Sequence, residues 1–472
     1  MKKIYIIVTI IISVMFTACS DFLEESPSTG LPAGEAITSL ADLRNAVNGV
    51  AYFLSTNNSS VTVRMTYASD YGIYADVKGA DFKALSNNNQ SGPLSTYTVT
   101  KYDAISYYAY FFHYKALANV NMALESAENL TVSESEKTEY NSYIGELYAW
   151  RALIHFELAR IFCHAPTSAT DVNAANSGIV LSTETYPPGY IAARTTLKQT
   201  YDQILDDFKT ALPLLSKEQT DGRINYWAAL ALRARVHLYN GSNGEALSDA
   251  EAVMAHTGYK LYTIDDYTKV WSQTYTSESL FELTVTSLYN PQRNSLGYYC
   301  SSDGYGECAF VEGGALLTYL QANPNDVRSK LAVTETGTYP GIYPAKYPGR
   351  DGSLYANSPK VIRLADVYLI AAEAALKENN ESKAVSYMNT LRKNRITGYA
   401  DISNITLDEI LFERRVELFA ENSMAFDYWR NKKSITNPNV GEIKYNDYRV
   451  ILPIPQDEID LAPEVLIQNP NY

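Results

Sequence analysis

Apolar residues recur with the period of an α-helix over long stretches of this chain. In the run from Val361 to Leu376, residues Leu364, Val367, Tyr368, Ala371, Ala372, Ala375 and Leu376 fall on one i, i+3, i+4, i+7 face, the stripe that a helix turns toward a core. Its alanines allow a second helix to approach closely. The same period predicts helices at about 103–129, 134–162, 196–215, 225–240, 244–256, 381–395 and 407–422. Ser133 with Glu136, Thr196 with Gln199, and Thr406 with Glu409 have capping-box spacing, in which a hydroxyl and a carboxylate or amide satisfy free N–H groups. Asn240-Gly241 and Gly258 read as stops.

These helices come in pairs with short connections, 225–240 with 244–256 and 361–378 with 381–395. Pairs of about 34 residues are the unit of tetratricopeptide-type (TPR-type) solenoids, in which each pair needs its neighbours to bury its apolar face. Between the pairs lie segments at roughly 45–102, 163–195 and 258–358, rich in Gly, Pro, Ser, Asn and Tyr, with one short strand predicted over Ser279–Val285. Loops this long inside a folded protein are usually functional or disordered, and their aromatic content argues for order. The fold class is therefore mainly α, a superhelix of helix pairs packed against a loop-rich half.

Composition sharpens this picture. Among 472 residues, 39 Lys+Arg against 53 Asp+Glu give a net charge of −14, which excludes a nucleic-acid-binding surface. Charged residues make up 19% and tyrosines number 39, against an average charged fraction of about 25%. The N-terminus differs from the rest. Met1-Lys2-Lys3 precedes the apolar run Ile4–Phe16, which is shorter than the roughly 20 residues of a membrane-spanning helix and reads as an export signal over 1–18. Cys19 directly after it resembles the lipobox cysteine of bacterial lipoproteins, so lipidation at Cys19 is expected. Residues 19–40, with Asp21, Glu24, Glu25, Pro27, Gly30, Pro32 and Gly34, read as a tether. The body divides into 41–257, with the first helix pairs, and 258–472, with the Tyr-rich loops and the last pairs. Cys300 and Cys308 lie eight residues apart in a Gly/Tyr/Ser-rich loop and are expected to form a disulfide outside the cell, whereas Cys163 reads as a buried thiol.

The ordered motifs of the chain resemble those of the SusD/RagB family of outer-membrane nutrient-binding lipoproteins. Asp21-Phe22-Leu23 with Pro27 and the stretch Leu43–Tyr52 is similar to the family's N-terminal signature, Arg151–Arg160 to its "RA…YF.L.R" helix, and Ser277–Glu282 to its "SE.IFE" segment. The strongest match is Ile362–Ala374, followed by Leu391–Arg395, Glu413–Leu418, Phe426–Arg430, Leu452–Pro455 and Gln468–Pro470. Two departures are Glu421-Asn422-Ser423-Met424 for "EG.R" and Asn469-Pro470-Asn471-Tyr472 for "NPGY". The resemblance implies a lid on a TonB-dependent transporter of the SusC/RagA type, anchored in the outer membrane by its N-terminal lipid and facing the cell exterior. It implies oligosaccharide ligands, with peptides as the alternative, and no enzymatic activity. An adaptor that binds only proteins is a further reading.

The residues agree with a binding role. The chain carries no G-x-S-x-G elbow, H-E-x-x-H helix, Walker loop or EF-hand loop, and no cofactor or metal is expected. His155 and His237 read as packed histidines, and Asp206-Asp207 as a solvated face. Arg363, Asp366, Glu373, Glu413, Arg414, Arg415 and Glu417 read as inter-helix ion pairs, and Trp150, Trp227, Trp271 and Trp429 as core. Tyrosines on loops are suited to recognition, because the ring packs on C–H surface while the hydroxyl donates or accepts. The family builds its site from a loop after the N-terminal helices and one before the "RLAD" helix, here about 67–102 and 289–355. The candidate ligand-binding residues are Asp70, Tyr71, Tyr74, Arg293, Tyr298, Tyr299, Tyr305, Tyr339 and Tyr343.

Overall fold

The structure is a computed structural model and describes residues 37–57, 62–86, 90–187 and 189–472. The export signal, Cys19 and most of the tether lie outside the described residues.

Helix α1 (Leu40–Phe53) opens where irregular chain was predicted. Ser39 caps it by accepting from the Asp42 amide, and Leu43, Val47 and Val50 form its buried stripe. That spacing is present in the sequence, but Gly49 and the intervening asparagines obscure it. Helices α2 (Ala104–Glu128) and α3 (Lys137–Phe162) follow. The start of α3 is a correction: Ser133 N and Oγ both donate to the Glu136 carboxylate, at 3.0 and 2.6 Å, so 133–136 form a turn ahead of the helix rather than a capping box within it. The box at Thr196 closes in both directions and starts α4 (Leu197–Ala211). Helix α5 (Tyr226–Asn240) stops at Gly241, whose φ of +82° is the left-handed conformation that glycine adopts without strain. The chain folds back there into α6 (Asn243–Ala255), which ends before Gly258 is reached.

The next long helix, α7 (Leu364–Lys377), begins later than its periodicity suggests, because Lys360–Arg363 forms a strand. Asn380 caps α8 (Glu381–Lys393), and the Thr406 box starts α9 (Leu407–Glu417). Ala420 and Asn422, with φ of 57° and 60°, break the predicted 407–422 helix, and α10 (Met424–Arg430) follows. Consecutive helices pack on one another from α2 to α8, and α6 packs on α7 although about a hundred residues separate them in sequence. The loop-rich half is thus an insertion between two neighbours of the superhelix, confirming the TPR-like architecture.

Short antiparallel strand pairs organise that half and its borders. They are β1 (Phe82–Lys83) with β3 (Ala309–Phe310), β2 (Ser279–Glu282) with β6 (Lys360–Arg363), β4 (Ala332–Glu335) with β5 (Gly341–Pro344), and β7 (Ile435–Asn437) with β8 (Gly441–Ile443).

The charged helix motifs are buried. Glu417 on α9 accepts from Arg363 at 2.7 Å, Arg395 at 3.0 Å and Arg328 at 3.1 Å, and Glu278 on β2's approach holds Arg395 and Arg363 at 2.6 and 3.0 Å. Asp366 on α7 bridges Arg235 of α5 at 2.7 Å and Arg414 of α9 at 2.9 Å. Asp207 corrects its sequence reading: Asp206 is exposed, but Asp207 is buried against Arg151, which donates from Nε at 3.0 Å and Nη2 at 2.6 Å. His155 is buried and accepts from the Ser182 amide; burial, with Arg151 nearby, lowers its pKa to about 3. Trp150, Trp271 and Trp429 are core residues, while Trp227 is half-buried and stacks on His256 at 4.1 Å.

Candidate functional site

The loop that follows the one-turn helix Leu296–Tyr299 doubles back on it. Tyr305 N donates to Tyr298 O at 2.8 Å and Glu307 N to Tyr299 O at 3.0 Å. This close reversal needs glycine: a Cβ on Gly304 would lie 1.9 Å from Tyr298 O, and Gly306 has φ +64° with Tyr339 Cβ 2.8 Å from where a Cβ would sit. The turn of the β4–β5 hairpin supplies Tyr339, whose amide donates to Ser302 O at 2.9 Å. From the N-terminal region, Leu85 N donates to Gly306 O at 2.7 Å. Three separate stretches of chain therefore meet in one rim.

Tyr298, Tyr305, Tyr339 and Tyr355 are half-buried there. Tyr298 meets Tyr305 edge-on at 4.8 Å and tilts against Tyr355 at 5.8 Å. Arg293 is exposed and close enough to Tyr305 to act on its hydroxyl electrostatically. A few residues upstream, Leu288 is 83% exposed and Tyr289 55%, with Tyr289 against Tyr52 at 5.9 Å. This is a shallow aromatic rim with hydroxyls, not a deep pocket.

The other candidates do not reach the surface. Tyr299 is buried directly below, 5.4 Å from the Tyr305 ring, and its hydroxyl has no hydrogen-bond partner among the described residues. Asp70 is buried and holds Arg64 at 2.6 Å, while Arg64 Nη1 donates to Gln90 at 2.7 Å. Glu307 accepts from Ser91 N and Oγ at 2.7 and 2.5 Å, and its burial, opposed by those bonds, raises its pKa to about 7. Tyr343 is buried and donates to Tyr339 O at 2.8 Å. Asp70, Tyr299 and Tyr343 thus support the rim from beneath.

Tyr71 and Tyr74 are corrections. Both are fully buried among helices: Tyr71 donates to Glu157 and packs on His113, and Tyr74 stacks on Phe426 at 5.5 Å. Their segment folds as a turn and one-turn helix inside the core, so loop-like composition did not mean surface. The expected disulfide is also corrected: Cys300 and Cys308 are free, buried thiols. Burial raises the Cys308 pKa well above normal, and a hydrogen bond with Cys300 adds to this, so little thiolate is available to start oxidation. Cys163 is a buried free thiol as expected. Sequence reasoning missed Tyr355, Leu85, Gln90 and Arg64. Tyr355 shared the loop signal of the others; the remaining three carried none.

Comparison with known proteins gives a family model described as "Starch-binding associating with outer membrane" over residues 21–238 and a "SusD family" model over 217–472. SusD-like protein P2 of Formosa agariphila is 25% identical over the whole of both chains. A crystallised SusD superfamily protein of Bacteroides thetaiotaomicron is 30% identical with a TM-score of 0.83, covering 92% of this chain and all of that one. Surface glycan-binding protein A of the same organism, solved in complex with laminarihexaose, is similar in fold at 18% identity and a TM-score of 0.72, covering 92% of this chain and 99% of that one.

Proposed function

The chain belongs to the SusD family, and on that premise we propose that it is an outer-membrane lipoprotein of the cell surface that captures oligosaccharide on its tyrosine rim. It passes the ligand, uncleaved, to a SusC-like TonB-dependent transporter. The signal at 1–18 and Cys19 support the anchor, and the acidic, charge-poor composition supports an uncharged ligand.

The observation that carries the reading is the rim itself. Tyr298, Tyr305 and Tyr339 meet at a chain reversal that glycine at 304 and 306 permits, Tyr355 packs on Tyr298, and all four are half-buried rather than sealed in the core. A sugar offers both complementary surfaces, C–H faces for rings and hydroxyls for hydroxyls. Two or three ring contacts at about 0.5–1.5 kcal/mol each, and a few hydrogen bonds at about 1 kcal/mol net, give micromolar-to-millimolar affinity after association costs. Weak binding suits a protein that must also release its ligand into a channel. The laminarihexaose complex of a neighbour makes β-glucan oligosaccharides the first glycans to try.

Isothermal titration of the purified protein against a glycan panel and a peptide panel tests this. Binding to a glycan, weakened about tenfold by Tyr298→Ala or Tyr305→Ala with unfolding unchanged, is the expected result, a tenfold loss being about 1.4 kcal/mol. Peptide binding without glycan binding would reassign the ligand class, and wild-type affinity in both variants would remove the site from the rim.

A further inference from the structure

Where the N-terminal region meets the rim, a buried carboxylate makes the connection. Glu307 is 1% exposed and follows Tyr305 by two residues, on the loop whose reversal brings the rim tyrosines together. Its Oε2 accepts from Ser91 N at 2.7 Å and Ser91 Oγ at 2.5 Å, and its Oε1 accepts from Gln90 N. Ser91 is fully buried, and the Gln90 side chain accepts in turn from Arg64, which is paired with Asp70. Leu85 N on Gly306 O is the neighbouring backbone contact between the same two stretches.

No lysine or arginine pairs with Glu307 among the described residues, whereas the buried Asp70, Asp81, Asp366 and Glu417 each hold an arginine. A buried carboxylate that relies on hydrogen bonds alone is readily protonated. Burial raises the pKa of Glu307 to about 7, with the Ser91 and Gln90 bonds opposing the rise and the charge of Asp70 adding to it. Its other charged or titratable neighbours are Arg64, Tyr299, Tyr305 and Cys308. Burial pushes both tyrosines and the thiol up, and Asp70 keeps Arg64 charged against its burial, so none of these four changes charge between about pH 6 and 8.

We propose that Glu307 is a positioning residue for ligand capture: its charged carboxylate fastens the loop that carries Tyr305 to the Gln90–Ser91 turn, and glycan affinity falls when that charge is lost. This deepens, and rests on, the oligosaccharide reading of the rim. Protonation places an O–H among three donors, and the bonds from Gln90 N and Ser91 cannot all survive it. The charged form is the fastened one, so affinity is highest above the pKa of about 7 and is lost as the pH falls through it.

Titration of the purified protein with laminarihexaose between about pH 6 and 8 tests this. In the wild type, binding at the acid end should be about fivefold weaker, and Glu307→Gln should bind weakly with a flat profile. Burial moves Asp76, Glu146 and Lys78 into the same range, so only the pH dependence that Glu307→Gln removes belongs to Glu307. A flat wild-type profile, or one that the variant retains, overturns the proposal. Hydrogen exchange at the Gln90 and Ser91 amides, corrected for the pH dependence of free amides, needs no ligand. Protection should fall toward the acid end in the wild type, and in Ser91→Ala, which loses a bond to the charged form, the midpoint should move to higher pH. Protection independent of pH, or an unmoved midpoint, overturns the proposal. Should laminarihexaose not bind at any pH, that counts against the β-glucan reading and exchange decides on Glu307; should Glu307→Gln not fold, Ser91→Ala decides.

Discussion

Tyr71 and Tyr305 show how one residue type serves two ends in this chain. Tyr71 is fully buried, and its hydroxyl shares Glu157 with Tyr67 and Arg160. Tyr71→Ala removes a core ring and should cost about 3–5 kcal/mol, seen as a lower urea midpoint. Tyr305→Ala, at the half-exposed rim, should leave the midpoint almost unchanged and act on ligand affinity alone. The sequence places both tyrosines in segments of loop composition; outward or inward orientation depends on which turn each backbone makes, and composition does not carry that. Asp366 gives a pH prediction at the same scale. Burial raises its pKa, but Arg414 and Arg235 more than offset this and bring it from 3.8 to about 2. A folded pKa below the unfolded one means the carboxylate stabilises above pH 3.8 and loses that contribution as the pH falls from there toward about 2. Denaturant midpoints measured from pH 5 down to 2 should fall in the wild type and fall less steeply in Asp366→Asn.

At the scale of elements, buried charge fixes how α7, α8 and α9 meet the inserted half. Glu417 is fully buried among Arg328, Arg363 and Arg395, and those three arginines hold it well below the usual carboxylate range against the opposing effect of burial. Removing one member of such a cluster leaves uncompensated charge in a low dielectric, at a cost of about 3–5 kcal/mol. Glu417→Gln should therefore destabilise by that order, whereas Lys393→Ala, which breaks a half-exposed pair with Asp401 at 2.8 Å, should change stability by less than about 1 kcal/mol. Paired urea titrations separate the two. The charged residues on α7 and α9 were legible as inter-helix pairs because they sit on otherwise apolar helices. Asp207 was misread because an i, i+1 pair on a helix points two ways, and nothing local says that Arg151, on another helix, meets one of them. Helix starts marked by side-chain caps were legible nearly to the residue, as at Thr196 and Thr406, whereas those two helices end four or five residues before the periodicity does. Helix α7 was extended too far N-terminally because the adjacent Val361 and Ile362 of β6 are both apolar and run into Leu364, and a short apolar run does not distinguish strand from helix.

For the whole molecule, the decisive arrangement is that α6 and α7 pack as neighbours while the chain between them builds the rim together with the stretch that carries Leu85. The superhelix can thus remain intact while the inserted loops vary. The residues placed at or under the rim run from Tyr52, which packs on Tyr289, to Tyr355. If Cys19 carries the lipid anchor, the anchor and the proposed ligand site are separable, because the residues placed at or under the rim begin only at Tyr52. Cys19→Ser should then move the protein from the membrane pellet to the soluble fraction on cell fractionation and abolish labelling by a fatty-acid analogue, with glycan affinity in titration unchanged. Growth on the ligand as sole carbon source should fall sharply all the same, since a soluble capture protein loses the high local concentration that tethering beside a transporter provides. Retention of the Cys19→Ser protein in the membrane fraction would show that something other than this cysteine holds it there.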